Sequence, residues 1–221
     1  MGAIGKIVLV DDQSLYRDGL AELFKKWPGF EVVGDASNGK DAISVCLETE
    51  PDIVLMDVKM PIMDGIESCG VIHEKLPSAS VVMLSLYGDK SRVLSAIANG
   101  ADGYLLKSIH ARQLHGKLRT LIEGGAVLSD EVASICLDAL RRPKFIPVDE
   151  KEIESLLRSL TTHEKELLRL IAVGASNKLI GERLFIGEST VKKQVSLILT
   201  KLGLENRVQA AIFALRSGLA E

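Results

Sequence analysis

The sequence predicts two domains of different class: an α/β fold with a five-stranded parallel sheet wound on both faces by helices, then a small all-α unit. Three observations carry this. Through about the first 125 residues, short apolar runs alternate with amphipathic stretches at helical spacing, the pattern of a parallel sheet with crossover helices. Three of those runs stop abruptly at charged residues, Asp11-Asp12, Asp57 and Lys107, where open α/β sheets place their ligands. Beyond Leu160 every periodic stretch reads as helix.

Taken in order, residues 6–10 form the first strand and residues 14–26 a helix with Leu15, Leu20, Leu23 and Phe24 on one face. Trp27-Pro28-Gly29 stops it, because proline disfavours continuation and glycine tolerates the turn. Residues 31–36 are a second strand, and Asn38-Gly39 turns the chain into a helix over residues 41–50 with Ala42, Ile43, Cys46 and Leu47 aligned. The apolar run 53–57 suits a strand buried on both sides, and Met63-Asp64-Gly65 opens a helix that Pro77-Ser78 breaks. Then follow a strand over 81–85, a helix over 89–99 stopped by Asn99-Gly100, a strand over 103–107 and a helix over 109–123. Residues 127–140 read as an additional helix, with Ser129 as cap and Asp130 and Glu131 in its first turn. Residues 141–150 carry two prolines and charge without period, and read as a tether.

Composition narrows the class. A hydrophobic share of 47% with 26% charged residues supports real cores and excludes a generally disordered chain. Three cysteines without pairing or ligand spacing exclude a disulfide framework. No 18-residue apolar run and no secretory signal are present, and Lys6 stands where a myristoylation signal wants Ser or Thr, so a cytoplasmic protein with no membrane partner is expected. Of the charged residues from Leu160 onward, nine are Lys or Arg and six Asp or Glu, so the tail is basic while the front is acidic. That asymmetry points to a polyanion partner for the tail.

Each charged strand end also has a plainer reading: Asp57 as a turn former or helix cap, Lys107 as a solvated lysine. Together they form a set. Asp11-Asp12, Asp57 before Met60-Pro61-Ile62-Met63-Asp64-Gly65, Ser85 after Val81-Val82-Met83-Leu84, and Gly103-Tyr104-Leu105-Leu106-Lys107 resemble, in spacing and order, the receiver domain of bacterial response regulators, a flavodoxin-like fold. Clustered carboxylates repel unless a cation relieves them, and all-oxygen ligation suits Mg²⁺. The resemblance implies that Asp12 and Asp57 touch Mg²⁺ directly, that Asp11 acts through water, and that the Lys59 carbonyl completes the ligands. It implies Asp57 as phosphoacceptor, Lys107 and Ser85 as partners of the phosphoryl oxygens, and Tyr104 as a switch residue that turns inward; Tyr104 reads equally as a core aromatic.

In the tail, helices are expected over residues 162–173, 177–184, 189–202 and 206–217. Thr161-Thr162-His163-Glu164 is a capping pattern, Asn177 can cap the second helix, and Phe185-Ile186-Gly187-Glu188 makes a tight turn before the third. The segments 160–178 and 184–195 resemble the LuxR-type helix-turn-helix, and with the receiver they indicate the NarL/FixJ group of response regulators. In the third helix Val191, Val195, Ile198 and Leu202 face inward and Lys192 and Lys193 outward. Outward lysines are ordinarily solubilising, but a recognition helix in the major groove would set Lys192, Lys193 and Gln194 on DNA, with Ser189 and Thr190 at its N-terminus and Asn177 and Lys178 on the backbone. Gly181 and Gly187 depart from the usual Ala and Ser of that motif and are expected to soften the module.

The domains expected are a receiver over 1–125, a helix and linker over 126–158, and a DNA-binding domain over 159–221. The chain reads as a transcriptional regulator rather than an enzyme, with a sensor histidine kinase and promoter DNA as partners and a homodimer when phosphorylated. A DNA-binding regulator that keeps the pocket without using phosphorylation is the alternative. An aspartyl phosphatase would want Asp-x-Asp where Asp11-Asp12-Gln13 stands, and residues 34–39 lack the glycine spacing of a dinucleotide site.

Overall fold

The computed structural model describes residues 5–140 and 150–220, so the tether expected over 141–150 lies, apart from Glu150, outside the described residues. The chain divides into two compact units, residues 1–122 with 127–129 and residues 123–126 with 130–221.

In the first unit, β1 (Gly5–Val10), β2 (Phe30–Ala36), β3 (Ile53–Asp57), β4 (Ser80–Ser85), β5 (Gly103–Leu106) and β6 (Val127–Leu128) form one sheet in the order β2-β1-β3-β4-β5-β6. Every pairing is parallel. Between them run α1 (Ser14–Phe24), α2 (Gly39–Thr49), α3 (Gly65–Lys75), α4 (Lys90–Ala98) and α5 (Ala111–Ile122). All five residues of β3 are buried, as a central strand covered on both faces must be. Ile7, Leu9, Leu55, Leu84 and Leu105 pack with Leu114 and Leu118 of α5 and with Phe24 and Phe30 in one cluster. Each such side chain, fully buried, is worth about 1.5–3 kcal/mol. Asn38, Asp64 and Asp89 cap α2, α3 and α4 by accepting from the N–H groups of Asp41, Glu67 and Arg92.

The sheet has six strands, not the five expected. Val127 and Leu128, expected to begin a helix, pair with Gly103 and Tyr104 instead. A two-residue strand carries no period in the sequence, and it forms because the edge of β5 offers a ladder. The helix α6 (Asp130–Leu140) starts only after it, with Asp130 and Glu131 in its first turn.

The second unit holds α6, α7 (Glu150–Ser159), α8 (Thr162–Ala172), α9 (Asn177–Leu184), α10 (Glu188–Leu202) and α11 (Arg207–Arg216). The helix α7 was not expected, although Ile153, Leu156, Leu157 and Leu160 follow helical spacing and Ile153 and Leu160 are buried. Thr161 and Glu164 complete a reciprocal capping box at α8. Ser176, rather than Asn177, caps α9. At the α9–α10 turn Phe185 takes a left-handed conformation, φ 57°. Gly181 does not soften the module there: a Cβ at that position would lie 2.7 Å from the Ile186 carbonyl oxygen, so glycine lets the turn close against the helix.

Candidate functional site

The strand order reverses at β1 and β3, and the crevice beyond their carboxyl ends is where such sheets bind ligands. Asp11 and Asp12 follow β1 and Asp57 closes β3. One carboxylate oxygen from each lies within 4.8 Å of the others, with Asp11 and Asp57 buried and Asp12 exposed. Asp57 caps no helix, since Asp64 does so for α3. Its Oδ1 accepts from the Val58 N–H at 2.8 Å, which orients the carboxylate. Gly65 is required beside it, because a Cβ there would run into the Asp57 carbonyl oxygen, and its N–H donates to the Val58 carbonyl at 3.0 Å. The intervening Ile62 is held at φ 71° with the Met63 N–H on the Pro61 carbonyl at 2.8 Å, a strained three-residue turn.

Lys107 reaches in from the end of β5. Its Nζ lies 2.7 Å from Asp11 Oδ2 and 3.0 Å from Asp57 Oδ2, and its side chain is 4% exposed, so the solvated-lysine reading does not hold. Burial alone would lower this ammonium, but its close pairing with Asp11 and Asp57 holds it above the usual lysine value. The Asp57 carboxyl is nevertheless raised: burial dominates, the Asp11 charge adds to it, and Lys107 and the Val58 N–H only partly offset both. The two partners thus shift the same way, opposite to an isolated ion pair. The reason is that one ammonium serves two buried carboxylates. That leaves the cluster short of positive charge, and the oxygens suit a hard divalent cation.

The Nζ also lies 4.8 Å from the centre of the Tyr16 ring, on α1, a neighbour that no sequence motif pointed to. Burial raises the Tyr16 phenol, so the ring is neutral at ordinary pH. Arg17 donates to the Asp11 carbonyl at 2.6 Å and pairs with Asp35 at 2.7 Å, fixing the backbone of the acidic pair.

On the far side Ser85 Oγ donates to the Tyr87 carbonyl at 3.0 Å. Tyr104 is fully buried, with its hydroxyl 3.5 Å from the same carbonyl. A cavity of about 470 Å³ is lined by Asp12, Asp57, Lys59, Ser85, Tyr87 and Arg92, among others.

In the second unit Val191, Val195, Ile198 and Leu202 are buried along α10, while Lys178, Ser189, Thr190, Lys192 and Lys193 are exposed. No carboxylate pairs with Lys192 or Lys193 among the described residues. Gln194 lies on the flank, 2.9 Å from His163 of α8. Asn177 is buried, its Oδ1 accepting from Arg207 at 2.9 Å. Arg207 also donates to the Ala175 carbonyl, and burial brings its guanidinium down to about 10. Sequence reasoning had no local signal for either tie, since His163 is 31 positions from Gln194 and Asn177 is 30 from Arg207.

Comparison with known proteins decides what these units are. Residues 7–119 match the response regulator receiver domain, and residues 158–214 match the bacterial regulatory proteins of the luxR family. The chain is a response regulator. It belongs to the group that joins a receiver to a LuxR-type DNA-binding module, and is a transcription factor rather than a member of an enzyme family. It is 39% identical over 216 residues to the transcriptional regulatory protein LnrK of Bacillus subtilis (strain 168), covering 97% of this chain and 98% of that one. With the nitrate/nitrite response regulator protein NarL of Escherichia coli (strain K12) it shares 37% identity over 207 residues, covering 94% and 93% of the two chains. Among solved structures, the response regulator ChrA of a heme-sensing two-component system aligns with a TM-score of 0.53 at 30% identity, over 99% of this chain and 100% of that one. No helix among the described residues of this regulator is long and apolar enough to cross a membrane.

Proposed function

We propose that this response regulator takes up a phosphoryl group on Asp57 from a partner histidine kinase, and that the uptake controls dimerisation and promoter binding by its tail. The observation that carries the reading is the meeting of Asp11, Asp12 and Asp57 within 4.8 Å with Lys107 3.0 Å from the acceptor. A carboxylate oxygen of Asp57 bonds to phosphorus as the bond from phosphorus to the donor's imidazole nitrogen breaks, and the imidazole leaves with a proton from solvent. Lys107 holds a phosphoryl oxygen by charge, and the Ser85 hydroxyl donates to another after leaving the Tyr87 carbonyl. Asp12 and Asp57 would hold Mg²⁺ directly, with Asp11 through water and the carbonyl of Lys59. When bound, the ion supplies charge neutralisation for the phosphoryl oxygens. Exchange of the Ser85 bond loosens the contact that Tyr104 shares at Tyr87, which makes Tyr104 the switch side chain.

The domains follow as a receiver over 1–125, a connecting segment over 126–158 and a DNA-binding domain over 159–221, in a cytoplasmic protein. On DNA, Lys192 and Lys193 meet phosphates or guanine edges from α10, and Lys178 meets the backbone. Gly187 gives α10 no side-chain cap, which leaves the Ser189 amide for a phosphate beside the Thr190 hydroxyl, the Thr190 N–H itself donating to the Gly187 carbonyl at 2.9 Å. Gln194 reads a base edge by exchanging its bond to His163, and Asn177 reaches the backbone from beneath, held by Arg207.

DNA selection on the full chain with and without acetyl phosphate and MgCl₂, with intact mass followed in parallel, tests the whole reading. A phosphoryl mass gain that is absent in Asp57→Ala, together with tighter or more selective binding, is expected. Persistent labelling of that peptide in the variant would refute the acceptor. Identical sites and affinities in both arms would favour a regulator that ignores phosphorylation.

A further inference from the structure

We infer that Tyr16 is a positioning residue for Lys107, its ring forming the third wall of the ammonium's site and keeping it aimed at the phosphoryl acceptor. This rests on the phosphoryl-uptake reading above.

An ammonium has three N–H groups, and around Lys107 Nζ the structure places three partners: Asp11 Oδ2 at 2.7 Å, Asp57 Oδ2 at 3.0 Å, and the Tyr16 ring with its centre at 4.8 Å. The side chain is 4% exposed, so little water reaches the ammonium and the ring occupies a place that water would otherwise take. A cation within about 6 Å of an aromatic centroid is attracted by the negative face of the ring, more strongly when desolvated.

The three partners differ in how they change during the reaction. Both carboxylates are also candidates for the divalent ion, and Asp57 loses its free charge when it is esterified. A lysine held by those two alone would have its anchors altered at each stage. The Tyr16 ring carries no net charge and its attraction depends on neither event. It is the anchor that stays constant while the others change. Tyr16 sits on α1, against the cluster that includes Leu9, Leu20 and Leu105, so the ring face is fixed by packing rather than by the site's own charges. The aromatic identity is what the geometry uses; the hydroxyl enters none of these contacts.

The experiment compares wild type, Tyr16→Phe, Tyr16→Leu and Tyr16→Met in the full chain. Phosphoryl uptake from acetyl phosphate with MgCl₂ is followed by intact mass over a range of donor concentrations, and Lys107 side-chain proton shifts by NMR, assigned by their loss in Lys107→Arg. Tyr16→Phe is expected to keep the wild-type rate and the upfield ring-current shift. Tyr16→Leu is expected to lose the shift and slow the maximal uptake rate by roughly 5- to 30-fold. Tyr16→Met replaces it in both measurements if the leucine variant does not fold. Uptake in the folded aliphatic variant at the wild-type rate overturns the inference, as does Tyr16→Phe as slow as Tyr16→Leu, which would place the effect in the hydroxyl. A wild-type chain that takes up no phosphoryl group fails the parent reading as well, so the two failures are distinguishable.

Discussion

Beside Asp57, Lys107 is 4% exposed and wedged between two carboxylates, whereas on α10 Lys192 and Lys193 stand in water with no carboxylate paired to either among the described residues. On the proposed function the same residue type serves two purposes. A chemical step needs its charges desolvated and held to a fraction of an ångström, because interactions are strongest and least forgiving in a dry site. A grip on a nucleic acid needs its charges free, because affinity comes from displacing the counterions of the polyanion. Packing holds the first arrangement, and a buried apolar stripe on the opposite face of the helix supports the second.

Three changes would break or sharpen that contrast. The largest effect is expected at Gly65, where the Asp57 backbone allows no Cβ. Gly65→Ala should lower stability by about 3 kcal/mol, seen as a fall in the thermal midpoint by circular dichroism. An unchanged midpoint would show that the loop after β3 is free to yield.

Asp102 comes next. Burial raises its carboxyl to about 7, while its Oδ2 accepts from the Val81 N–H at 3.0 Å. In the unfolded chain this group titrates near 3.9. The folded state therefore binds the proton more tightly, and the stability it contributes is full below about pH 4 and lost as pH rises through 7. Asp102→Asn keeps an acceptor for Val81 without the charge, so it should be more stable than wild type at pH 8, on the order of 1–2 kcal/mol because the residue is partly in contact with water, and equal to it at pH 4. Denaturation midpoints at the two pH values decide this, and parallel curves would remove the titration from Asp102.

The smallest effect is on the tail. Lys192→Ala should weaken DNA binding and make the dependence of log K on log salt shallower by about one. If the slope is unchanged, Lys192 touches no phosphate.

The acidic cluster and Lys107 were legible because strands of a parallel sheet end together, so charged residues from three strand ends far apart in the chain had to converge. The helix-turn-helix was legible through the resemblance of residues 160–178 and 184–195 to the LuxR-type motif, and the inward face of its third helix through the spacing of Val191, Val195, Ile198 and Leu202. What stayed hidden depended on partners rather than on pattern. Val127 and Leu128 became a strand only through the free edge of β5. Tyr16 looked like any residue of α1 until Lys107 was set over its ring. Nothing near Asn177 in the sequence signalled that Arg207 donates to its side-chain carbonyl. The spacing of Ile153, Leu156, Leu157 and Leu160 was visible, but two nearby prolines drew the reading toward a tether.

The short strand β6 has one further implication. Its ladder reaches the main chain of Tyr104, with the Ser129 N–H on the Tyr104 carbonyl at 3.1 Å. So brief a seam is cheap to unpick, and from its last stitch the polypeptide leaves the sheet into α6. The segment leading away is thus knotted directly to the backbone of Tyr104, the side chain that the proposed function makes the switch.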